Sequence, residues 1–248
     1  MAARILVSSG PNRTLRLAPH RAGSICDESS LTARGALAPD PRSMADLSVL
    51  LTGFGAFLDV AENPSGQLVS ALAQDPPPGV QVTGMQLPVS FLRAPQEIDA
   101  ALDGGSFDFL LSLGVHRGPS FRPEQVGRAV LHSEKADNDG VLGGDVETDG
   151  GQPLQTPFDL DAVDRVLATG LLEVTPSIDA GGYVCERVCR HIYRRGQALG
   201  IPALFLHVPP LAFASLPQQL PIVRAALSEL ASQCRVSRVG PPTPFVAS

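Results

Sequence analysis

The 248-residue chain is 44% hydrophobic and 18% charged, a composition typical of a globular protein with one sizeable core. Its net charge of -6 and its pI near 5.3 argue against a nucleic-acid-binding protein, because such proteins normally carry a basic surface. A membrane protein is also not expected, since no apolar run in the sequence reaches the roughly 20 residues that span a bilayer.

The cysteines argue against a disulfide framework and against a metal site. Cys26, Cys185, Cys189 and Cys234 are few and scattered, and no pair has CxxC spacing. We therefore expect no metal site. The first 26 residues lack the apolar stretch of a secretory signal, and together with free cysteines this predicts a cytoplasmic location.

Residues 1–43 differ from the rest of the chain. They mix Arg, Ser, Gly, Pro and Ala without periodicity, which predicts a disordered N-terminal extension ahead of a folded domain over residues 44–248. An Arg- and Ser-rich start that is poor in acidic residues is also typical of a transit peptide. A third interpretation places the true start at Met44.

From Leu47 onward the apolar pattern predicts alternating strands and helices. The predicted strands cover residues 47–52, 80–89, 107–113, 124–132, 173–178 and 203–208. The predicted helices cover residues 63–73, 94–102, 159–169, 183–198 and 216–234. A Gly- and Asp-rich stretch, 133–157, is predicted to be an irregular surface excursion. This alternation indicates a single α/β domain with a central, mostly parallel mixed sheet flanked by helices on both faces.

Cys185 is the candidate nucleophile. It follows Gly181 and Gly182, which permit a sharp turn, and it lies near the predicted N-terminus of a helix. The partial positive charge there would lower the pKa of the thiol, and the free N–H groups could stabilise an oxyanion. The alternative is a small structural cysteine packed under the helix. Cys189, one turn further along, is predicted to belong to the core.

His207 is the candidate base, because an imidazole within so apolar a strand needs a polar partner. Glu124 is the candidate carboxylate that would orient the imidazole ring, although its position in the sequence does not distinguish it from a surface glutamate. Three other histidines are less favoured, because they lie in a loop, beside the surface excursion and on the exposed side of a helix: His116, His132 and His191.

Four blocks of sequence resemble pyroglutamyl peptidase type I, also called pyrrolidone-carboxylate peptidase. The blocks are LTGFGAF at 51–57 with NPS at 63–65, PEQV at 123–126, DAGGYVC at 179–185 and FLHVP at 205–209. The resemblance covers the chain from about Leu47 to Cys234. It implies a cysteine peptidase that removes N-terminal pyroglutamate from peptides, with Glu124, Cys185 and His207 as the catalytic triad. The acyl transfer expected of such a triad needs no metal or organic cofactor.

The same resemblance implies a pocket for the flat, uncharged pyroglutamate ring. Phe54 and Phe57 would line this pocket, and Asn63 would help to build it. Val115 and Val184 are further expected substrate-binding residues. Peptides with an N-terminal pyroglutamate are therefore the predicted partners. A homo-oligomer is possible, because bacterial relatives are often tetramers whereas animal relatives are monomers.

The chain departs from the pattern of many bacterial members at two places near the pocket. It has Leu58-Asp59 where they have a Gly-Gly pair, and Val115 where they have a glutamine that contacts the lactam. The Gly- and Asp-rich stretch 133–157 also differs and could reshape the entrance. The departures near Val115 and Leu58 motivate one alternative, a non-catalytic protein that binds small lactams or peptide N-termini. A further alternative is a cysteine hydrolase of another small amide.

Overall fold

The computed structural model describes residues 46–57, 62–146, 148–170 and 172–239. The predicted extension over residues 1–43, the proposed start at Met44 and the departure at Leu58-Asp59 lie outside the described residues. Within them, no helix is both long enough and apolar enough to cross a bilayer.

The described residues form both strands and helices, with four strands in succession between α2 and α3. The strands are β1 (Leu47–Phe54), β2 (Val80–Leu87), β3 (Phe109–Val115), β4 (Arg122–Glu124), β5 (Val126–Gly127), β6 (Leu154–Gln155) and β7 (Ala203–Val208). The helices are α1 (Pro64–Gln74), α2 (Arg93–Gly104), α3 (Leu160–Leu167), α4 (Val184–Leu199) and α5 (Leu216–Val239). A short 3-10 turn lies at Gly143–Asp145.

The central sheet has the strand order β2-β1-β3-β7-β4. Its first four strands run parallel, and β4 pairs antiparallel with β7 at one edge. Every residue of β7 is buried, as is all of β3 except its last residue, as expected for parallel strands covered on both faces. The predicted α/β architecture with a mostly parallel mixed sheet is confirmed.

Successive residues of the central strands pack into two separate hydrophobic clusters. The alternation is clear in β3, where Leu111 packs with α1, α3 and α5, and Leu110 packs with α2 and α4. Because side chains alternate across a strand, each strand contributes to both helical layers. Each fully buried leucine contributes about 2 kcal/mol of apolar transfer free energy, so the two layers together hold the sheet in place.

The predicted strand over residues 173–178 is wrong. This segment runs parallel to the chain around β4 but forms isolated bridges only. Thr175 N donates to Phe121 O, and Ser177 N donates to Pro123 O. In a regular ladder the N–H of residue 123 would return a bond to the carbonyl of Thr175, but proline has no N–H to donate. The pairing is therefore interrupted after one bridge.

The predicted strand over residues 124–132 is shorter than expected and begins earlier, as β4 and β5. β5 pairs antiparallel with β6, so the stretch 133–157 returns to the body of the protein instead of being only a surface excursion. Asp137 anchors it: this carboxylate is buried and accepts hydrogen bonds from the backbone N–H groups of Phe91 (2.8 Å), Asp139 (2.9 Å) and Val141 (2.9 Å).

Candidate active site

His207 and Glu124 meet across the antiparallel edge of the sheet. His207 on β7 pairs with Arg122 on β4, so Glu124, two residues further along, is its diagonal neighbour on the same face. His207 Nδ1 donates a hydrogen bond to Glu124 Oε1 at 2.7 Å. His207 is 4% exposed and Glu124 is fully buried. This bond selects the tautomer that leaves Nε2 with a free lone pair, which can accept a proton.

The backbone that carries Glu124 is held by a buried tyrosine. Tyr193 Oη on α4 donates to the carbonyl oxygen of Glu124 and accepts a bond from Phe205 N at 3.2 Å. Among the described residues, Glu124 Oε2 has no hydrogen-bond partner. His207 is therefore the side chain to which this buried carboxylate is directed.

Cys185 lies in the first turn of α4, directly after a loop that requires glycine. Gly181 and Gly182 have φ angles of 94° and 66°, which disfavour other residues. A Cβ atom on Gly182 would also lie 2.3 Å from the imidazole of His132. The loop therefore leads directly into the first turn of α4, where the backbone N–H groups have no partner within the helix.

The sulfur of Cys185 packs against the end of β3. A Cβ atom on Gly114 would lie 3.1 Å from Cys185 Sγ and 2.8 Å from the ring of Phe205. Gly114 also pairs with His207 in the β3–β7 ladder. Sequence reasoning did not single out Gly114; a glycine at the end of an otherwise apolar strand was the available signal.

The predicted effect of the helix N-terminus on the Cys185 thiol is outweighed. Burial raises its pKa to about 12, and the nearby carboxylates of Glu124 and Glu186 contribute to the increase. Removing a thiolate from water costs more than the partial charge of a helix end returns. A base that accepts the proton of the thiol would therefore help the sulfur of Cys185 to attack.

Cys185 and His207 line one cavity of about 740 Å³, large enough for a small peptide. Its wall includes the rings of Phe57 and Tyr183, whose centroids are 5.5 Å apart, and the side chain of Val115. The cavity is also lined by charged side chains: Glu62, Arg117, Arg122, Lys135 and Asp179. It thus combines an apolar wall with a charged entrance.

The other expected pocket residues do not line this cavity. Phe54 and Val184 are buried in the hydrophobic cluster between the sheet and α2 and α4. Asn63 supports the loop after β1: its amide donates to Gly55 O at 3.0 Å, and its oxygen accepts from Ser65 N at 3.1 Å as the N-cap of α1. Asn63 therefore acts on the pocket through the backbone that carries Phe57.

Of the less favoured histidines, His116 lies in the loop after β3 as predicted, whereas His191 differs from its prediction. The ring of His116 lines the cavity with its centroid 5.9 Å from that of His207. Its Nε2 donates to Ser120 O and its Nδ1 accepts from Gly118 N, so both ring nitrogens are occupied. The interpretation of His191 as an exposed helix residue is wrong, since it is 6% exposed and bonds to Asp99 at 2.9 Å.

Burial lowers the pKa of His116, and the neighbouring His207 lowers it further, whereas the bond to Ser120 raises it. A neutral His116 retains both of its backbone hydrogen bonds, because a protonated Nδ1 could not accept from Gly118. This side chain therefore shapes the loop that follows β3 and does not offer a second base.

Comparisons with known proteins agree with this geometry. Residues 47–224 match the family model for pyroglutamyl peptidase. The chain is 31% identical over 169 residues to the pyrrolidone-carboxylate peptidase of Streptomyces coelicolor, covering 65% of this chain and 77% of that one. It is 26% identical over 194 residues to the corresponding peptidase of Saccharolobus islandicus, covering 77% and 93% of the two chains.

Solved structures give the same result for the fold. The pyrrolidone carboxyl peptidase from Fervidobacterium islandicum AW-1 superimposes with a TM-score of 0.69 at 28% identity, over 75% of this chain and 99% of that one. The enzyme from Thermococcus litoralis superimposes with a TM-score of 0.71 at 22% identity, over 80% of this chain and 100% of that one. The chain belongs to the pyroglutamyl peptidase family of cysteine-type hydrolases.

Proposed function

We propose that the chain hydrolyses the bond after an N-terminal pyroglutamate of peptides with Cys185 as nucleophile, His207 as general base and acid, and Glu124 as the residue that orients His207. The 2.7 Å hydrogen bond between His207 and Glu124, at the wall of the cavity that also holds Cys185, is the observation that carries this assignment. Membership of the family indicates the type of reaction, and Cys185 and His207 are the groups between which its proton would be transferred.

The reaction would begin with transfer of the Cys185 proton to His207 Nε2, since burial raises the pKa of this thiol. The thiolate then attacks the carbonyl carbon that joins pyroglutamate to the next residue, and N–H groups at the start of α4 stabilise the oxyanion. His207 returns the proton to the departing amine, which leaves a thioester on Cys185. Water, deprotonated by His207, attacks the thioester and releases 5-oxoproline and the thiol.

The wall of the cavity suits a flat ring without charge. Phe57 and Tyr183 offer aromatic faces, and Val115 offers no side-chain hydrogen bond to the lactam. The lactam N–H and carbonyl must therefore bond to backbone groups. A free N-terminal amine would bring an unpaired charge against this apolar wall, which is costly, so selectivity for pyroglutamate over ordinary N-terminal residues follows.

The test is release of a fluorescent amine from a pyroglutamyl amide, with prolyl and alanyl amides as controls. Cleavage of the pyroglutamyl compound alone is expected, and Cys185→Ser should reduce kcat by at least about 10³-fold while the protein remains folded. The matched control is Cys234→Ala, which removes a buried sulfur on α5 outside the site and should retain turnover. Near-normal turnover by Cys185→Ser would contradict the assignment.

Two other outcomes would favour the alternatives. Binding of pyroglutamyl peptides without cleavage by the unaltered chain would favour a lactam-binding protein. Cleavage of other small amides, with pyroglutamyl amides untouched, would favour a different cysteine hydrolase. A cytoplasmic location and the oligomeric state remain predictions.

A further inference from the structure

A fully buried carboxylate lies next to the candidate nucleophile. Glu186 follows Cys185 in the first turn of α4 and is 0% exposed. Its oxygens accept three hydrogen bonds from Arg128: Oε1 from the backbone N at 2.7 Å, and Oε2 from Nε at 3.1 Å and from Nη2 at 2.8 Å. Burying a carboxylate is costly without such a partner, so Arg128 is what makes this position tolerable for Glu186.

Arg128 has a second carboxylate partner in the loop before Cys185. Its Nη2 also donates to Asp179 Oδ1 at the start of the loop that leads into α4. The same oxygen accepts the backbone N–H of Gly181 at 2.8 Å. One guanidinium group, directly after β5, therefore contacts both the loop before the nucleophile and the helix turn after it.

The groups that face the Cys185 sulfur come from several elements. Glu124 on β4 and Glu186 on α4 contribute negative charge, and both oppose a thiolate by raising the pKa of Cys185. His207 on β7 and Arg122 on β4 line the same cavity, as does Asp179. Of the two carboxylates that oppose the thiolate, Glu186 is the one whose charge is balanced by Arg128.

We propose that Arg128 is a positioning residue for the peptidase reaction, which holds the Asp179–Gly182 loop and the first turn of α4 as one unit and balances the buried charge of Glu186 beside the nucleophile. This inference rests on the proposed role of Cys185. It assigns Arg128 two separable effects. The hydrogen bonds of its guanidinium group to Asp179 and Glu186 fix the positions of the loop and the helix turn. Its positive charge determines how readily the Cys185 sulfur loses its proton.

The two effects predict different results for two substitutions. Arg128→Met removes both the guanidinium hydrogen bonds and the positive charge, so kcat should fall by about 10²-fold, with a change in KM below about three-fold. The rate at which iodoacetamide alkylates Cys185 should also fall by about 10-fold at each pH between about 6 and 10, because the unbalanced carboxylate lowers the thiolate fraction. Arg128→Lys keeps the charge, so its alkylation rate should stay near normal while kcat falls.

The double variant Arg128→Met/Glu186→Gln separates charge from geometry. It removes both charges and should restore the alkylation rate to within about two-fold of normal, while kcat remains low because the loop has lost its anchor. The matched control is Arg195→Met. Arg195 lies further along α4, and this substitution breaks its ion pair with Asp99 on α2 without touching a contact of Arg128. This control should cost stability without a change in the alkylation rate of Cys185.

Alkylation is followed by mass spectrometry of the peptide that contains Cys185, with no substrate present, and folding is checked by circular dichroism. A normal alkylation rate in folded Arg128→Met, or a fall that Glu186→Gln does not reverse, would overturn the role of the charge. An equal fall in the alkylation rate of Arg195→Met would show that the effect is not specific to Arg128. If Arg128→Met does not fold, Arg128→Lys provides the test: a normal kcat in that variant would overturn the role of the guanidinium hydrogen bonds. Failure of the proposed function would instead appear as absent turnover in the unaltered chain, with alkylation unaffected.

Discussion

The hydrogen bond between His207 Nδ1 and Glu124 Oε1 selects one tautomer of the imidazole. An amide in place of the carboxylate can still accept that bond, but it can equally donate one and stabilise the wrong tautomer. It also provides no negative charge for the imidazolium that forms during proton transfer.

Glu124→Gln should therefore reduce kcat by about 10³- to 10⁴-fold with a nearly unchanged fold, measured with the pyroglutamyl amide and a thermal unfolding curve. Glu173→Gln is the control, because Glu173 is an exposed carboxylate on the segment that runs beside β4. A loss of activity no larger for Glu124→Gln than for this control would rule out the orienting role.

Gly114 is the second single residue whose replacement has a specific consequence. Its Cβ would lie 2.8 Å from the Phe205 ring and 3.1 Å from Cys185 Sγ, so Gly114→Ala forces one of these groups to move. We expect a loss of about 1–3 kcal/mol in the free energy of unfolding and a fall in kcat, because the sulfur is displaced. Urea unfolding and turnover measure both effects.

Gly104→Ala is the matched control for that substitution. Gly104 ends α2, and a Cβ atom there meets no other heavy atom within 4 Å. Its unfolding free energy should change by less than about 0.5 kcal/mol, and turnover should be normal. Equal effects at the two glycines would show that close packing at Gly114 does not matter for the site.

At the level of secondary structure, the N-caps of α1 and α3 can be compared with each other. Asn63 caps α1 and also bonds to Gly55 O in the loop that carries Phe57. Asp159 caps α3 by accepting from Ala162 N at 3.3 Å, and it does not line the cavity. Both caps stabilise a helix, but of the two only Asn63 is connected to the pocket.

Asn63→Ala and Asp159→Ala should each lower the free energy of unfolding by about 1 kcal/mol. Asn63→Ala should in addition raise KM by about 5- to 10-fold, since one positioning hydrogen bond of about 1 kcal/mol is lost. Parallel denaturation and kinetic measurements distinguish the two results. An unchanged KM in Asn63→Ala would contradict the inference that this side chain supports the pocket.

The whole chain carries a net charge of -6, but the charged side chains that line the cavity include more basic than acidic residues. Arg117, Arg122 and Lys135 line the cavity together with Glu62 and Asp179, and Asp179 is paired with Arg128. Neither Arg117 nor Lys135 forms an ion pair with another described residue, so both charges are available to a substrate.

A pyroglutamyl peptide with an acidic second residue should therefore have a kcat/KM about 2- to 5-fold higher than one with a basic second residue. The difference should shrink at a salt concentration of about 0.5 M, because exposed charges are screened, and in Lys135→Gln. Arg224→Gln is the control, since Arg224 lies on α5 and pairs with Asp75 outside the cavity. A preference for the basic peptide would contradict this interpretation of the entrance.

The sequence by itself determined most of the secondary structure and the family. Apolar runs bounded by Gly and Pro predicted the central strands, and β7 was predicted with the bounds it has because a fully buried strand has an uninterrupted apolar pattern. The predicted helices over residues 63–73 and 159–169 begin at Asn63 and Asp159, which the structure shows to be the N-caps of α1 and α3. Four short motifs were enough to indicate the family that the comparisons confirm.

The tertiary structure alone decided which side chains meet, because pairing between distant segments has no local signal. His207 and Glu124 are 83 residues apart, and the antiparallel register of β4 on β7 makes them diagonal neighbours. Burial of His191 and the raised pKa of Cys185 follow from what packs around them, which periodicity does not report. The pairing of Arg128 with Glu186 likewise required the fold, since desolvation and hydrogen bonding depend on neighbours in space.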